Sequence, residues 1–385
     1  MSTHTFRRPR LPSHYYVLYD PPDSAGDEVL HFISECRKIK LKGYSLREFH
    51  RSVVPLLDGQ HTLEEIENEV SDLFAPPDLE ACLALLAEHN LLEEADERLL
   101  SSEASMHLEP QRNFFHEVSL DPDQVQQQLA NATVAILGLG GAGAHAALAL
   151  AAARVGTLRC IDSHLVTPAD PYLAAVFSLS DVGTARVDAV RRSVAAIAPH
   201  VNILAHHAPL ETDADVLAAV QGADFALCCV DAAQSAVAYK LNRVCLQMGL
   251  RWTSCAAAGP EVIIGPTVHP FETACYLCYK MRAVTCAENP EDAFAFQRFL
   301  DHRKQDDSGR RENVVFGTGL AGHLIGLEAL KELTGMTPPA VLGRIAVIDL
   351  LGLTLKKHLV LRKPWCPACF GQQAADVTPS HEEGT

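Results

Sequence analysis

The run Thr133–Gly143, TVAILGLGGAG, constrains the fold of this chain more than any other stretch. Val134 to Leu137 predict a short buried strand, and after a glycine-rich turn an alanine-rich helix is predicted from Ala144 to Arg154. Strand, glycine turn and helix together are typical of a nucleotide-binding βαβ unit. The candidate phosphate-binding glycines at this turn are Gly138, Gly140, Gly141 and Gly143. A strand-to-helix turn without a ligand is the alternative.

Two carboxylates follow at the ends of predicted strands. Asp162 ends the run Leu158–Asp162, about 20 residues after the glycine turn, where such units carry the acidic residue that binds ribose hydroxyls. Asp231 directly follows the buried run Phe225–Val230, whose Cys228 and Cys229 we predict to be core thiols. A carboxylate at the carboxyl end of a central strand points to the crevice in which these folds bind ligands.

Strands and helices alternate from Thr133 onward, which predicts an α/β domain with a Rossmann-like, doubly wound and mostly parallel sheet. The predicted helices cover residues 186–198, 213–220, 236–248 and 316–333. The predicted strands cover residues 201–206, 251–257, 344–349 and 352–361. Residues 288–312 are polar and charged, and we expect a surface loop there.

Two Cys-x-x-Cys pairs are the most specific chemical signal in the chain: Cys275 with Cys278, and Cys366 with Cys369. Four thiolates are the ligand set of a closed, structural Zn²⁺ site, so we expect zinc to join the end of the domain to its middle. Two unrelated pairs or redox motifs are the alternative. Cys286 follows the first pair and is a possible nucleophile, although a nearby cysteine is more often incidental.

Residues 1–97 predict a small winged-helix-like α+β module. Its strands are expected at Tyr15–Tyr19, Val29–Ile33 and Lys38–Lys42. Three helices follow, at Leu46–Leu57 after Ser45, after Thr62 in a Thr-x-x-Glu capping box with Glu65, and at Leu79–Leu92 after Pro76-Pro77-Asp78. Residues 98–131 predict a linker with a docking helix, residues 132–371 the nucleotide-binding-fold domain, and residues 372–385 a disordered tail.

Charge and hydropathy narrow the class of protein. The formal net charge of −16 argues against a general nucleic-acid binder. The first residues, MSTHTFRRPRLPSHYY, lack the apolar run of a secretory signal, and no apolar run is long enough for a membrane span. We therefore expect a cytoplasmic protein, in which twelve cysteines are better explained by metal binding and burial than by disulfides.

The N-terminal module, with LLDGQHTLEEI at its centre, resembles the leader-peptide recognition elements of enzymes that modify ribosomally made peptides. Those modules bind an extended leader as an added strand between a sheet edge and their third helix. The resemblance implies a peptide-binding surface formed by Lys38, Lys40 and Lys42 of the third strand and Leu79, Leu83 and Leu86 of the third helix. A small oligomerisation or DNA-binding winged helix is the alternative.

From about residue 113 to 371 the chain resembles the ThiF and ubiquitin-activating-enzyme superfamily, on the glycine loop, the two aspartates and the split cysteine site. The segments GPTVHPFETACYLCYK and PWCPACFG are most similar to microcin C-type peptide-adenylating enzymes. Such enzymes use ATP and Mg²⁺ to adenylate a C-terminal carboxylate. The resemblance implies ATP phosphates over Gly138 to Gly143, ribose at Asp162 and Mg²⁺ at Asp231.

The chain also departs from that superfamily. The family carries an Asn-Leu-x-Arg-Gln run whose arginine contacts the ATP phosphates, and the stretch Ala169–Ala174 has neither that asparagine nor that arginine. Arg186 matches the family's lysine, Ala232 replaces an asparagine after Asp231, and a later arginine position is alanine. Since adenylation depends on cations at the phosphates, the departures predict a weak or absent adenylating activity with Asp231 and Arg186 as its candidate catalytic residues.

Superfamily members of this kind occur beside azoline-forming YcaO-type cyclodehydratases, where a ThiF-like partner binds the leader peptide. We therefore expect a homodimeric, leader-binding ThiF-like scaffold that presents a precursor peptide to a YcaO-type cyclodehydratase in trans. An ATP-dependent peptide adenylyltransferase is the competing hypothesis. A nicotinamide dehydrogenase, the third, explains neither cysteine pair.

Overall fold

In a computed structural model of the chain, the described residues are 6–22, 27–95, 108–230, 236–302 and 312–370, without the side chains at 297 and 300–302. They fall into two compact units, divided in the sequence between Gln126 and Gln127. The expected tail at 372–385 lies outside the described residues, as do positions 98–107 of the expected linker. No helix in the described ranges is both long and apolar enough to cross a membrane.

The first unit is an antiparallel sheet covered on one face by helices. Its strands are β1 (Pro9–Arg10), β2 (Tyr16–Asp20), β3 (Glu28–Ile33), β4 (Lys38–Gly43) and β5 (Glu93–Glu94). Its helices are α1 (Leu46–Ser52), α2 (Leu63–Glu69), α3 (Pro76–Glu88) and α4 (Glu109–Glu117), with a 3-10 turn at Val54–Leu56. The main sheet has the order β2-β3-β4, and β1 pairs with β5. The expected sequence of three strands followed by three helices is observed.

Of the helix start signals predicted for this unit, the one at Thr62 is confirmed and the one at Ser45 is wrong. Thr62 and Glu65 form the predicted capping box at α2. Ser45 does not cap α1, because its backbone is left-handed and its hydroxyl bonds to no first-turn amide. The Glu28 carboxylate accepts hydrogen bonds from the first amides of α1 instead. The helix also ends at Ser52 rather than Leu57, since Pro55 lies in the 3-10 turn that follows.

The second unit begins within helix α5 (Pro122–Asn131). Its strands are β6 (Thr133–Leu137), β7 (Thr157–Ile161), β8 (Asn202–His206), β9 (Phe225–Cys228), β10 (Trp252–Ala258), β11 (Glu261–Ile264), β12 (Arg344–Asp349) and β13 (Thr354–Leu359). Its remaining helices are α6 (Gly141–Ala152), α7 (Asp170–Leu173), α8 (Arg186–Ile197), α9 (Asp213–Val220), α10 (Ala236–Met248), α11 (Tyr276–Thr285), α12 (Pro290–His302) and α13 (Val315–Thr334).

These eight strands form one sheet in the order β13-β12-β11-β10-β9-β6-β7-β8. The pairs from β10 to β8 are parallel, and those from β10 to β13 are antiparallel. The predicted α/β class with a Rossmann-like, mostly parallel sheet is confirmed. Helix α6 begins at the glycine turn and packs against the long helix α13, and this packing positions the candidate site.

The predicted loop at 288–312 is wrong over its first half. Residues Pro290–His302 form α12, whose amide at Asp292 donates to the Asn289 side chain. The many charges of this segment favour a loop, although Phe296 and Phe299 are three residues apart, a spacing that a helix places on one face. Residues 303–311 lie outside the described ranges. Strand β11 was not predicted, because its short apolar run Glu261–Ile264 follows β10 after a two-residue turn.

Candidate functional site

The glycine turn connects β6 to α6 as its sequence predicts. Gly138 has a left-handed φ of 87°, and its amide donates to the Ile161 carbonyl at 2.9 Å. Gly140 is the N-cap of α6 and provides no side-chain cap, so the first-turn amides of α6 form the expected anion-binding end of a helix. The turn is buried along its whole length from Gly138 to Gly141.

Close packing also demands these glycines. A Cβ at Gly143 would lie 1.8 Å from the Gly138 carbonyl oxygen, and one at Gly141 would lie 2.6 Å from the Thr318 side chain. The Leu173 carbonyl lies beside Gly141 as well and accepts a hydrogen bond from the Thr318 hydroxyl. The residues 169–174, where the superfamily carries its phosphate arginine, thus contribute a carbonyl oxygen near the start of α6.

Asp162 follows β7 and is buried, with its carboxylate fully engaged by the protein. Its Oδ2 accepts from the Leu139 amide at 2.7 Å, and its Oδ1 accepts from the His164 amide and meets His164 Nδ1, both at 2.8 Å. The Arg186 guanidinium lies 3.5 Å from Oδ2. A carboxylate offers about four acceptor positions, so ribose hydroxyls would have to replace a partner that Asp162 already has.

Arg186, at the start of α8, is the centre of a buried ion cluster. Its side chain is bidentate on Asp170, with Nη2 at 3.0 Å and 3.1 Å from the two carboxylate oxygens, while Nη1 faces Asp162. The Asp170 carboxylate also accepts from the amide and hydroxyl of Thr167. All three charged residues are at most 5% exposed. The cluster therefore holds two negative charges and one positive charge.

The electrostatics keep Asp162 ionised. Burial by itself would raise the pKa of the Asp162 carboxyl, but the His164 hydrogen bond, the Arg186 charge and the two backbone amides together lower that pKa below its usual value. The guanidinium of Arg186 is accordingly neutralised by carboxylates of its own chain. In this arrangement it holds α7 and α8 together rather than offering an uncompensated charge to a phosphate.

Asp170, His164 and Thr318 are site residues that the sequence reasoning missed. Asp170 lies in the stretch 169–174, which lacks the family's asparagine and arginine. Its partner Arg186 is sixteen residues further along the chain. The short spacing Asp162-x-His164 was an available signal for the second residue. Thr318 had none, since it approaches the glycine turn from α13, far along the chain.

Asp231, the predicted Mg²⁺ ligand, lies outside the described residues, together with Ala232. Strand β9 ends at Cys228, three residues before it. Cys228 and Cys229 are buried as predicted. Cys286 is exposed at the end of α11 and does not belong to the group of four thiols described next.

The two Cys-x-x-Cys pairs meet in space and could hold a metal ion. The Sγ atom of Cys275 lies 3.8 Å from that of Cys278 and 3.7 Å from that of Cys366. The Sγ atoms of Cys278 and Cys369 are 3.7 Å apart. A tetrahedral ion with metal–sulfur bonds of about 2.3 Å would separate its ligands by roughly 3.8 Å. All four residues are buried, and the Lys363 amide donates to the Cys278 sulfur at 3.3 Å. The donors and their spacing therefore fit a closed tetrathiolate site.

In the first unit the predicted peptide-binding residues fall into two groups. Lys38, Lys40 and Lys42 are exposed along β4, which pairs with β3 and forms one edge of its sheet. Leu79, Leu83 and Leu86 are instead buried in the core under the sheet. The structure thus places the lysines on an accessible edge and the leucines where no peptide can touch them without rearrangement. On α3, Leu85 is an exposed large apolar residue.

The sequence model of the ThiF family matches residues 110–368, which is more than half of the chain. The chain belongs to the ThiF family. That match includes the glycine turn, the buried ion cluster and the first cysteine pair, and it ends one residue before Cys369.

Individual relatives agree with this membership. The chain is 29% identical to the molybdopterin-synthase adenylyltransferase of Escherichia coli strain K12 over 248 residues, 63% of this chain and 89% of that protein. It is 27% identical over 253 residues to the sulfur carrier protein ThiS adenylyltransferase of the same strain, 66% of this chain and 91% of that protein. Among solved structures, the microcin C7 biosynthetic enzyme MccB in complex with N-formylated MccA matches with a TM-score of 0.68 at 17% identity, covering 94% of this chain and 99% of the other. At that identity the likeness concerns the fold.

Proposed function

We propose that this ThiF-family protein is a leader-peptide-binding scaffold in the maturation of a ribosomally synthesised peptide of the azole or azoline type. In this proposal the first unit binds the leader of the precursor, and the core peptide is presented to a YcaO-type cyclodehydratase acting in trans. The observation that carries the proposal is the buried cluster of Asp162, Asp170 and Arg186.

Adenylation needs cations that stabilise negative charge developing on the transferred phosphoryl group. The cation beside the glycine turn, Arg186, is held by two carboxylates, and the carboxylate expected to bind ribose is occupied by His164, Leu139 and Arg186. A site of this kind keeps the shape of a nucleotide pocket while its charges compensate one another. That favours a scaffold over a catalyst.

The free edge of β4 supports the peptide-binding half of the proposal. Within the described part of the chain β4 pairs with β3 alone, so its outer backbone groups are open to an added strand. Arg37, just before β4, donates to the His89 carbonyl at the end of α3 at 3.1 Å, so this helix lies beside the start of the strand. A peptide added to β4 would therefore run between the strand and α3.

Binding and catalysis can be separated with one protein preparation. The full-length chain is titrated calorimetrically with the precursor peptide encoded beside its gene, and ATP–pyrophosphate exchange is then measured with the same peptide. We expect one peptide per chain and no exchange above background. Failure to bind any precursor encoded nearby would overturn the scaffold assignment.

A proline substitution tests whether the peptide is bound as a strand. Lys40 occupies a non-hydrogen-bonded position of the β3–β4 pair, so its amide points away from β3. Lys40→Pro therefore removes an edge donor without breaking a bond of the sheet. Lys40→Ala removes the same side-chain charge but keeps the amide. We expect Lys40→Pro to abolish binding and Lys40→Ala to weaken it only several-fold, with both variants folded by circular dichroism. Equal effects of the two would exclude strand addition at this position.

The competing function is an ATP-dependent peptide adenylyltransferase, favoured by the adenylyltransferase relatives and by the intact glycine turn. Arg186, a basic residue of the 301–312 segment or a dimer mate would then have to supply the phosphate contacts, with Mg²⁺ at Asp231. Robust pyrophosphate exchange that is abolished by Asp231→Ala would establish this function. It would also show that the ion cluster opens when ATP binds.

We assign zinc to the four-cysteine site, because closed tetrathiolate sites of this spacing are those that structural Zn²⁺ prefers. We also propose a cytoplasmic homodimer. The hairpin of β12 and β13 supports the dimer, because four of its leucines are more than half exposed. Leu351 and Leu353 lie in its turn, and Leu355 and Leu359 lie on the edge strand β13. In light-scattering experiments Leu353→Glu should yield monomers, whereas Leu217→Glu on the surface of α9 should not.

A further inference from the structure

The hydrogen-bonding pattern of β4 determines which three residues direct their backbone groups toward its free edge. The hairpin between β3 and β4 closes with the Ser34 amide donating to the Arg37 carbonyl at 2.9 Å. In an antiparallel pair, hydrogen-bonded and non-hydrogen-bonded positions alternate. Ile39 and Leu41, two and four residues after Arg37, therefore bond to β3, opposite Phe32 and Leu30. The amides and carbonyls of Lys38, Lys40 and Lys42 consequently point outward.

The same three residues carry the charge of this edge. All three lysine side chains are exposed on one face of the sheet. No carboxylate among the described residues forms an ion pair with any of them, whereas His31, the cross-strand neighbour of Lys40, lies 2.7 Å from Asp20. In a chain with a net charge of −16, three uncompensated ammonium groups at every second position form a localised basic stripe.

The opposite face of β4 is apolar. Ile39 and Leu41 pack against the core of the unit, which also contains buried Leu83 of α3. Cys82 of α3 also borders this core and is only partly buried, while Leu85 is 41% exposed. A strand added to β4 would therefore meet ammonium groups with one set of alternate side chains and apolar groups with the other set.

We propose that the partner of this edge is an extended peptide with acidic residues at three successive alternate positions, i, i+2 and i+4, and apolar residues between them. This inference deepens the proposed leader recognition and rests on it. The acidic side chains would lie opposite Lys38, Lys40 and Lys42, and the intervening apolar side chains would lie towards Cys82 and Leu85.

Lysines on an edge strand have another use, because they discourage edge-to-edge aggregation. Edge protection alone predicts no preference for acidic residues at a fixed spacing. A charge-exchange experiment therefore separates the two roles.

The probe is a phage-displayed library of random twelve-residue peptides, selected on the full-length protein. The wild-type chain is expected to enrich sequences with Asp or Glu at i, i+2 and i+4. The variant Lys38→Glu/Lys40→Glu/Lys42→Glu is expected to enrich Lys or Arg at the same spacing. If the wild type enriches no peptide at all, leader recognition itself fails and this inference falls with it. If both proteins enrich the same peptides, recognition stands and the acidic pattern is overturned.

A selected peptide then gives the size of the effect in solution. By fluorescence anisotropy, Lys40→Glu should weaken binding about fivefold and the triple variant about a hundredfold, since like charges directly opposite one another are unfavourable. Exchanging the central acidic residue of the peptide for lysine should recover most of the loss with Lys40→Glu. The matched control, Arg51→Glu, makes the same charge change on the exposed surface of α1 and should leave affinity unchanged. Equal weakening by Arg51→Glu, or no recovery with the exchanged peptide, would overturn the pairing.

Discussion

The glycine turn of the second unit and the β4 edge of the first unit differ in whether their charged side chains are paired with opposite charges. At the glycine turn Arg186 is bidentate on Asp170 and faces Asp162, so the charges are compensated within the chain. At β4 three lysines have no carboxylate partner among the described residues. A compensated cluster stabilises the fold, while an uncompensated stripe is available to a partner. The glycine turn, which resembles a nucleotide site, therefore offers a charged ligand fewer uncompensated charges than the β4 edge does.

Loss of the proposed zinc ion should have the largest effect on this contrast, because the four-cysteine site lies in the unit that carries the glycine turn. We expect Cys366→Ser to lose bound zinc and to unfold the second unit at moderate temperature, since binding energies of roughly 10–16 kcal/mol are typical of structural zinc at neutral pH. Metal analysis of the purified protein and thermal melts followed by circular dichroism measure both. Cys286→Ser, at an exposed thiol outside the cluster, is the control. Full zinc content in Cys366→Ser would contradict the tetrathiolate site.

Breaking the compensated cluster should cost about 3–5 kcal/mol of unfolding free energy. Arg186→Met leaves two buried carboxylates without their cation, which is the expensive way to remove a buried ion pair. Arg191→Met, on the same helix, loses only an exposed pair with Asp188 and should cost less than about 1 kcal/mol. Lys42→Ala at the uncompensated edge should change stability even less. Urea denaturation of the three variants ranks them, and a small loss for Arg186→Met would mean that the cluster is not structural.

His116 is a buried titratable group of the first unit, which also contains buried Tyr15 and Arg112. Burial and the nearby charge of His14 lower the pKa of His116 to about 4, and neither of its ring nitrogens has a hydrogen-bond partner. Because the folded pKa lies below the unfolded value of about 6.5, the unfolded chain takes up a proton first as the pH falls. We expect stability to drop by up to about 3 kcal/mol between pH 6.5 and pH 4.

Denaturation at a series of pH values, with His116→Phe as the variant, measures this dependence. The variant should lose that part of the pH dependence, whereas His89→Gln, at an exposed position of the same unit, should retain it. Glu117, Arg37 and Arg10 also act on the pKa of His116, so some residual dependence is expected. An unchanged profile in His116→Phe would contradict the assignment.

Alanine substitutions distinguish a glycine that close packing requires from one that only nucleotide binding would require. Their effect on stability should be smaller than those above. Gly143→Ala places a methyl group against the Gly138 carbonyl and should destabilise the protein by about 1–3 kcal/mol even without ATP. Gly326→Ala on α13 makes only ordinary contacts, the nearest 3.9 Å away, and should be neutral or stabilising by up to about 1 kcal/mol. Comparison of their denaturation midpoints tests this. Equal midpoints would leave nucleotide binding as the reason for Gly143.

Much of the second unit could be predicted because its signals are local. A strand, a glycine turn and a helix follow one another within twenty residues at Thr133–Ala152, and Asp213–Val220 and Ala236–Met248 were predicted with their observed bounds. Predictions failed where a distant residue intervened. Ser45 looked like a cap, but Glu28 from the neighbouring strand bonds to the amides of α1. The helix α12 was hidden because charged residues dominate its segment.

The sequence by itself determined the ThiF-like fold, the four thiols and the lysine-bearing strand, because each depends on residue type at fixed spacing along the chain. Only the tertiary structure decided what those residues do. It directed Leu79, Leu83 and Leu86 inward, since the helix that bears them buries one face against the sheet. It also brought Asp170 onto Arg186, so that a cation expected at a phosphate is compensated by its own chain. Spacing identifies candidate ligands and charges, but compensation is a property of distances in space.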